Sequence, residues 1–326
     1  MKKVFAILLA VCMLLTLAAC GQEAAAPAEQ GAEETKTFTV GVCQLVQHEA
    51  LDAATQGFVD ELKTQLGDSV EILVENASGD STNCTTIVND FLSKNVDLIM
   101  ANATPALQAA VAATGDVPIL GTSVTEYGTA LGIDNFSGVV GGNVSGTSDL
   151  ASLAEQAAMF KQWLPEVKSV GILFCSAEAN SAYQVKVVTE TLEKDGIEVT
   201  PFSFTDSNDV ISVTQKACES CDALYIPTDN TAASNIEAIA NIVLAEKVPV
   251  ITGEKGPCAV CGIATLSIDY YNLGVTTGKM AAQILKGEAD IATMEIQNDP
   301  NPVKMFNAAL CEEWGITPVE GFEAIG

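Results

Sequence analysis

From Phe38 onward the chain alternates between two kinds of segment. FTVGVCQLV, VEILVEN, VDLIMANA and VPILGTSV are short runs rich in Val, Ile and Leu, and they predict strands. Between them, LDAATQGFVDELKTQL, STNCTTIVNDFLSK and PALQAAVAAT carry apolar residues at helical spacing. Strands alternating with helices predict parallel βαβ units. After Ser123 the rhythm breaks into VTEYGTALGIDNFSGVVGGNVSGTSD, whose Gly, Ser and Asn content predicts a crossover or hinge around residues 138–146. The alternation then resumes with a helix over LASLAEQAAMFKQWL and strands over SVGILF, IEVTPFSF, DALYIP and VPVITG. SAYQVKVVTETLEK, NDVISVTQKAC and TAASNIEAIANIVLAE are the helices between those strands, and ATLSID followed by YYNLGVTTGKMAAQILKG closes the pattern. The fold expected is α/β: two similar Rossmann-like lobes with parallel sheets joined by a hinge. Lobe 1 is expected over 38–140 with 270–290 returning to it, and lobe 2 over 141–269 with part of 291–326.

The first residues read differently. MKK is a basic stretch, VFAILLAVCMLLTL is apolar, and the small pair Ala18-Ala19 precedes Cys20, the layout of an export signal over 1–19. The apolar run is too short and wrongly flanked to be a mature spanning helix. Leu17-Ala18-Ala19-Cys20 resembles the bacterial lipobox, which implies cleavage before Cys20 and lipidation of its thiol; the alternative is an ordinary secreted protein cleaved elsewhere. Residues 20–37, rich in Ala, Glu and Pro, read as a solvated tether. The expectation is an extracytoplasmic protein anchored to the cell membrane as a lipoprotein.

Charge and composition then remove whole classes of function. The formal net charge is -27, so a nucleic-acid partner is excluded on electrostatic grounds. All 15 basic residues are Lys, so no guanidinium fork can clamp a carboxylate or phosphate. His48 is the only histidine, which removes the zinc hydrolase patterns that need two or three imidazoles. Cys218-Glu-Ser-Cys221 and Cys258-Ala-Val-Cys261 are both C-x-x-C, but they are too far apart for a zinc ribbon. Cys221 precedes the strand DALYIP and Cys258 follows the strand VPVITG, so the pairs are expected at opposite ends of a parallel sheet. Disulfides and free thiols both stay open, and no cofactor or metal is expected.

Ligands of parallel sheets sit beyond the carboxyl ends of the strands. The residues there are His48 and Glu49; Asn76; Thr104 and Pro105; Ser123 and Thr125; Ser176, Glu178, Asn180 and Ser181; Asp229 and Asn230; Glu254; and Asp269. Helix capping accounts for part of this set, and Ser181 with Gln184 has capping-box spacing. Several ends nevertheless carry more polar groups than a cap needs. Helix N-termini offer N–H groups to a carboxylate, while Glu49, Glu178, Asp229 or Glu254 could receive an ammonium. The combination suits a zwitterion. Tyr127, Phe174, Tyr183 and Tyr270 are candidate aromatic walls, with Phe174 placed more naturally in the core. Cys175 and Ser176 raise a hydrolase alternative with His48 as base, but no G-x-S-x-G surrounds Ser176 and no third orienting group is evident.

These residues also carry a resemblance. His48-Glu49-Ala50-Leu51-Asp52, the turn Asn76-Ala77-Ser78-Gly79-Asp80, and Ala103-Thr104-Pro105-Ala106 resemble the tryptophan/tyrosine-type family of ABC transporter substrate-binding proteins. So do Gly141-Gly142-Asn143-Val144-Ser145-Gly146, Ser176-Ala177-Glu178-Ala179-Asn180-Ser181, Pro227-Thr228-Asp229-Asn230 and Ser267-Ile268-Asp269-Tyr270-Tyr271-Asn272-Leu273-Gly274. The resemblance covers nearly all of the chain after Phe38. It implies a type I periplasmic-binding-protein architecture and capture of a small ligand, often an aromatic amino acid, for an ABC permease with its cytoplasmic ATPase. The many cysteines, and Ser78 where glutamine is usual, depart from the family pattern. A ligand sensor with the same cleft and no permease is the remaining alternative.

Overall fold

The computed structural model describes residues 37–325; the signal segment, Cys20 and all of the tether before Thr37 lie outside the described residues. Two sheets organise the rest. The first contains β1 (Phe38–Gln44), β2 (Val70–Asn76), β3 (Leu98–Asn102), β4 (Ile119–Val124) and β5 (Val144–Ser148). The second contains β6 (Ser169–Cys175), β7 (Glu198–Phe204), β8 (Ala223–Ile226), β9 (Val250–Thr252) and β10 (Ala264–Ser267). Two late strands divide between them: β11 (Gln297–Asn298) joins the first, while β12 (Val303–Phe306) pairs antiparallel with β10 and carries β13 (Glu323–Ala324). The orders β11-β5-β4-β3-β1-β2 and β13-β12-β10-β9-β8-β6-β7 contain the same doubly wound arrangement, with the order reversing between β1 and β3 and again between β6 and β8. Ligand crevices form at such reversals, beyond the carboxyl strand ends.

Strand periodicity sends alternate side chains to opposite faces. In the first sheet, Ile99 and Ala101 face α2 (Ser81–Ser93) and α3 (Thr104–Ala113), where Val88, Phe91 and Leu107 are fully buried. Leu98 and Met100 face the other way, onto Phe58 and Leu62 of α1 (Glu49–Leu66) and Met280 of a later helix. The second sheet repeats this. Ile172 and Tyr225 pack with Phe160 of α5 (Leu153–Trp163) and Val188 of α6 (Ala179–Lys194). Leu173 and Leu224 pack with Ala217 of α7 (Val210–Ser220) and with Ile239 of α9 (Ile236–Glu246). The predicted helix over 231–246 is interrupted at Asn235, giving a short α8 (Asn230–Ser234) before α9. The remaining helices are a short α4 (Tyr127–Leu131), α10 (Lys255–Val260), α11 (Tyr270–Leu285) and α12 (Ala308–Trp314).

β5 moves the expected lobe boundary. The glycine-rich stretch is not a hinge: it turns within the first lobe, bridging Gly141 to Val144 and Val139 to Glu295, and leads into β5 of the first sheet. The pattern VSGTS hides a wholly buried strand because its polar groups are satisfied from neighbouring elements. Thr147 pairs with the hydroxyls of Thr122 and Thr277, Ser145 donates to the Met294 carbonyl, and Ser148 donates to the Thr125 carbonyl. Gly146, at φ +146°, lies so close to the Gly121 backbone that a Cβ would overlap it. The chain passes between the lobes at 149–152, 268–269 and 299–302 instead. Hydrogen bonds join these crossings: Tyr270 Oη donates to Asp149 at 3.1 Å, and the Asp269 N–H donates to Asp299 at 3.0 Å. α11 follows the second crossing and lies along α1, where Gly57 and Gly274 sit against the backbone carbonyls of Tyr271 and Ala54.

Candidate functional site

The carboxyl ends of the two sheets face each other across a narrow cavity of about 10 Å³. Ligand pockets commonly run to roughly 300–1,000 Å³, so a solute of amino-acid size enters only when the walls part. The first lobe supplies His48, Leu51, Ser123 and Thr125, and the second Asn180, Thr228, Asp229, Asn230 and Glu254. The crossings supply Asp149 and Tyr270. Thus seven of the residues picked out from the strand ends meet at one place: His48, Ser123, Thr125, Asn180, Asp229, Asn230 and Glu254. The backbone is strained around the first lobe's rim. Ser123 has φ +52°, and Ala103, just before α3, has φ +93° with ψ 157°, a region favourable only to glycine.

Acidity without a cation distinguishes this cavity. Asp149, Asp229 and Glu254 are all nearly fully buried, and no Lys is among the lining residues. Burial pushes the Asp149 carboxyl up to about 6, and burial together with the charge of Glu178 pushes Asp229 up to about 7. Glu254 is raised well above the ordinary range by burial and by Asp149, Glu49, Asp229 and Glu178 around it.

Hydrogen bonds then separate these acids by task. Asp229 caps α8 through Ala232 N–H at 2.8 Å and accepts from Cys175 N–H at 2.6 Å and Ser181 Oγ at 2.7 Å. Glu178 accepts from the backbone and side chains of Asn230 and Thr231 and from Asn180 Nδ2. Both are therefore committed to protein donors, although they were ammonium candidates in the sequence. Asp149 Oδ1 has no partner among the described residues, and no donor among them reaches the Glu254 carboxyl. Ser123 Oγ and Asn180 Oδ1 are likewise buried and unpartnered. Unmet buried polar atoms cost roughly 1–3 kcal/mol each, and three of them, Asp149 Oδ1, Ser123 Oγ and Asn180 Oδ1, line one cavity.

His48 meets the second lobe directly. Asn230 donates Nδ2 to Glu178, so its Oδ1 faces His48 Nε2 at 3.3 Å and the imidazole must carry its proton there. Burial holds the imidazole below its ordinary pKa.

The other selected residues lie elsewhere. Thr104 is buried at the start of α3 with Oγ1 unpartnered, outside the cavity lining. Pro105 and Glu178 line a recess of about 390 Å³ further from the crossings. Glu49 and Asp269 border a pocket of about 280 Å³ beside the crossings. Asn76 is exposed and accepts from Ser78 N–H at 2.8 Å, forming a turn at the edge of the cleft. Ser181 lies behind Asp229, and exposed Ser176 donates to the Phe204 carbonyl at 3.2 Å. Of the proposed aromatic walls only Tyr270 lines the cavity; Tyr127 is buried with its hydroxyl on the Thr147 carbonyl, and Phe174 packs on the second lobe's core. Tyr183 is half-buried outside the lining. Asp149 was missed because a polar residue after TS and before LAS is indistinguishable from a helix-capping stretch. Its burial depends on three crossings converging.

The hydrolase alternative fails on geometry. Ser176 and His48 each have a different hydrogen-bond partner, and burial pushes the Cys175 thiol up to about 11, away from thiolate chemistry. The eight cysteines among the described residues are free thiols. The expected separation of the C-x-x-C pairs does not extend to Cys261, which shares a core with half-buried Cys218 and Cys221. β9 is only three residues long, and α10 runs back beside it, so that Ile263 N–H reaches the Val250 carbonyl at 2.8 Å.

Known proteins match this architecture. The family model for ABC transporter substrate binding protein matches residues 39–323. A tyrosine-binding protein of Clostridioides difficile is 32% identical over 295 residues, covering 88% of this chain and 85% of that protein. An ABC domain in complex with L-Trp from Streptococcus pneumoniae is 31% identical, covers 89% of this chain and 100% of that one, and superposes with a TM-score of 0.84. A ligand-free, open substrate-binding protein with adhesive properties from Clostridium difficile is 34% identical over 89% of this chain and 99% of that one, with a TM-score of 0.67. At comparable identity the chain follows the L-Trp complex more closely than the open form, in keeping with its shut cleft. The chain belongs to the family of ABC transporter substrate-binding proteins, with the type I periplasmic-binding-protein fold, and is a solute-binding protein rather than an enzyme.

Proposed function

We propose that this protein captures an aromatic amino acid as its zwitterion in the interlobe cavity and presents it to an ABC permease, with Cys20 lipidated as its membrane anchor. The observation that carries the ligand reading is the group of buried carboxylates with no cation among the lining residues. An ammonium placed between Asp149 and Glu254 answers both acids, with Asn180 Oδ1 as a further acceptor. Ser123 Oγ supplies a free hydroxyl for the carboxylate, a role that arginine cannot fill in a chain without any. His48, Asp229 and Asn230 shape the walls and carry contact from one lobe to the other. A ligand touching both lobes favours the closed form by its differential affinity for it, and the three crossings take up the rotation. The tyrosine-binding relative and the L-Trp complex support the aromatic class.

Calorimetric titration with L-tryptophan, L-tyrosine and L-phenylalanine tests this, beside tryptamine and indole-3-propionate. The zwitterions should bind, and indole-3-propionate, which lacks the ammonium, should not. Equal affinity for indole-3-propionate, or no binding of the three amino acids while another solute binds, defeats the reading.

A further inference from the structure

The narrow cavity holds polar groups suited to the two charged ends of an amino acid, yet it has no room for a side chain. Two larger spaces adjoin it. The pocket beside the crossings shares Glu254 and Tyr270 with the cavity, and Tyr270 is bonded to Asp149. It therefore lies behind the acids that face the ammonium. The recess lies on the other side and shares Asn230 with the cavity. At about 390 Å³ it falls within the usual range for ligand pockets. Leu45, Val46 and Pro105 line it from the first lobe, and Ala177, Thr205 and Asp206 from the second.

Resting on the amino-acid reading above, we propose that this recess, beyond the His48–Asn230 contact, receives the ligand's side chain and selects aromatic rings that carry a polar edge atom. An amino acid whose ammonium sits between Asp149 and Glu254 must send its side chain away from the crossings, because the acids and Tyr270 occupy that side. The way out passes His48 Nε2 and Asn230 Oδ1, which meet at 3.3 Å through a single contact between neutral groups and can part without stranding a charge. Leu45, Val46 and Pro105 give a ring an apolar bed. The opposite wall is polar: Thr205, Asp206 and Ser207 follow β7, and Asp206 already accepts from Asn208 N–H through Oδ1 alone. That leaves Asp206 Oδ2 as an acceptor for a phenol O–H or an indole N–H, which a phenylalanine ring lacks. Because the recess is built from both lobes, a ring inside it also bridges them.

The test is calorimetric titration of the full chain with L-tyrosine, L-tryptophan and L-phenylalanine, on wild type, Ala177→Trp and Asp206→Ala. Ala177 is exposed, so the larger side chain fills the recess without disturbing a core. Ala177→Trp should weaken all three at least tenfold. Asp206→Ala should weaken tyrosine and tryptophan several-fold and leave phenylalanine within twofold. Unchanged affinities in Ala177→Trp, or an equal loss for all three in Asp206→Ala, overturn the proposal while leaving the amino-acid reading standing. If wild type binds none of the three, the cavity reading itself falls, and the recess proposal with it. A crystal grown with L-4-bromophenylalanine locates the side chain independently: bromine in the recess supports the assignment, and bromine in the pocket beside the crossings refutes it.

Discussion

Replacing Asp149 with asparagine should stabilise the ligand-free protein and disable it. The Asp149 carboxyl is 6% exposed, accepts from Tyr270 through Oδ2 at 3.1 Å and has no partner at Oδ1 among the described residues. Burial raises its pKa from the ordinary 3.8 to about 6. A raised acid favours the folded state while it is protonated. Its contribution is fully present below the unfolded pKa, near 4, and is lost as pH rises through about 6. By pH 8 the folded chain carries a buried charge with no counter-ion, and a shift of about two units corresponds to a ceiling of about 3 kcal/mol. Asparagine has the same shape and can still accept from Tyr270, so Asp149→Asn should recover up to that amount at pH 8 and about half of it at pH 5. Stability changes in a protein of this size move Tm by roughly 2–4 °C per kcal/mol, so several degrees are expected. Affinity for the amino acid should fall by about 30-fold or more, the scale for losing one partner of a buried charge pair. Thermal unfolding without ligand at pH 5 and pH 8, followed by calorimetric titration, reads both effects. A variant less stable than wild type at pH 8, or one that binds as tightly, would refute the account of a carboxylate held uncompensated for a cationic ligand.

The direction of the pH dependence extends to wild type, since Asp229 and Glu254 are raised as well. Ligand-free Tm should therefore fall between pH 5 and pH 8, and a flat or rising profile would contradict the buried acids. Ala103→Gly should raise Tm, because alanine is held at φ +93° and ψ 157°, and such strain costs roughly 1–3 kcal/mol; an unchanged or lower Tm would show that the strain is absent. Gly274→Ala should destabilise by about 3 kcal/mol or more, since its Cβ would enter the Ala54 carbonyl where α11 crosses α1. Denaturant unfolding reads this, and a wild-type midpoint would mean that the two helices can separate freely.

The sequence alone determined the elements and the class of fold. Short Val-, Ile- and Leu-rich runs such as VDLIMANA became strands, here β3 with every residue buried, because a central strand covered by helices on both faces must be apolar wherever it lies in the chain. It also set the chemical limits: without arginine and with one histidine, any charged ligand must be met by hydroxyls, amides, backbone N–H groups, carboxylates or lysine. Seven of the cavity's residues could be picked out because they follow strands that must end on the same side. Tertiary structure decided the rest. Glu178 and Asp229 looked free to bind an ammonium, but backbone N–H groups of Cys175 and Thr231 and the side chains of Ser181 and Asn230 occupy them. VSGTS reads as loop until Thr122, Thr277 and Met294 arrive to satisfy its hydroxyls. Asp149 is one polar residue among several in TSDLAS, and nothing local marks it. It becomes a buried acid of raised pKa only because the chain crosses between lobes three times at one place and sets Tyr270 against it. Periodicity is a property of neighbours along the chain, whereas the free energy of a charge depends on everything around it in space.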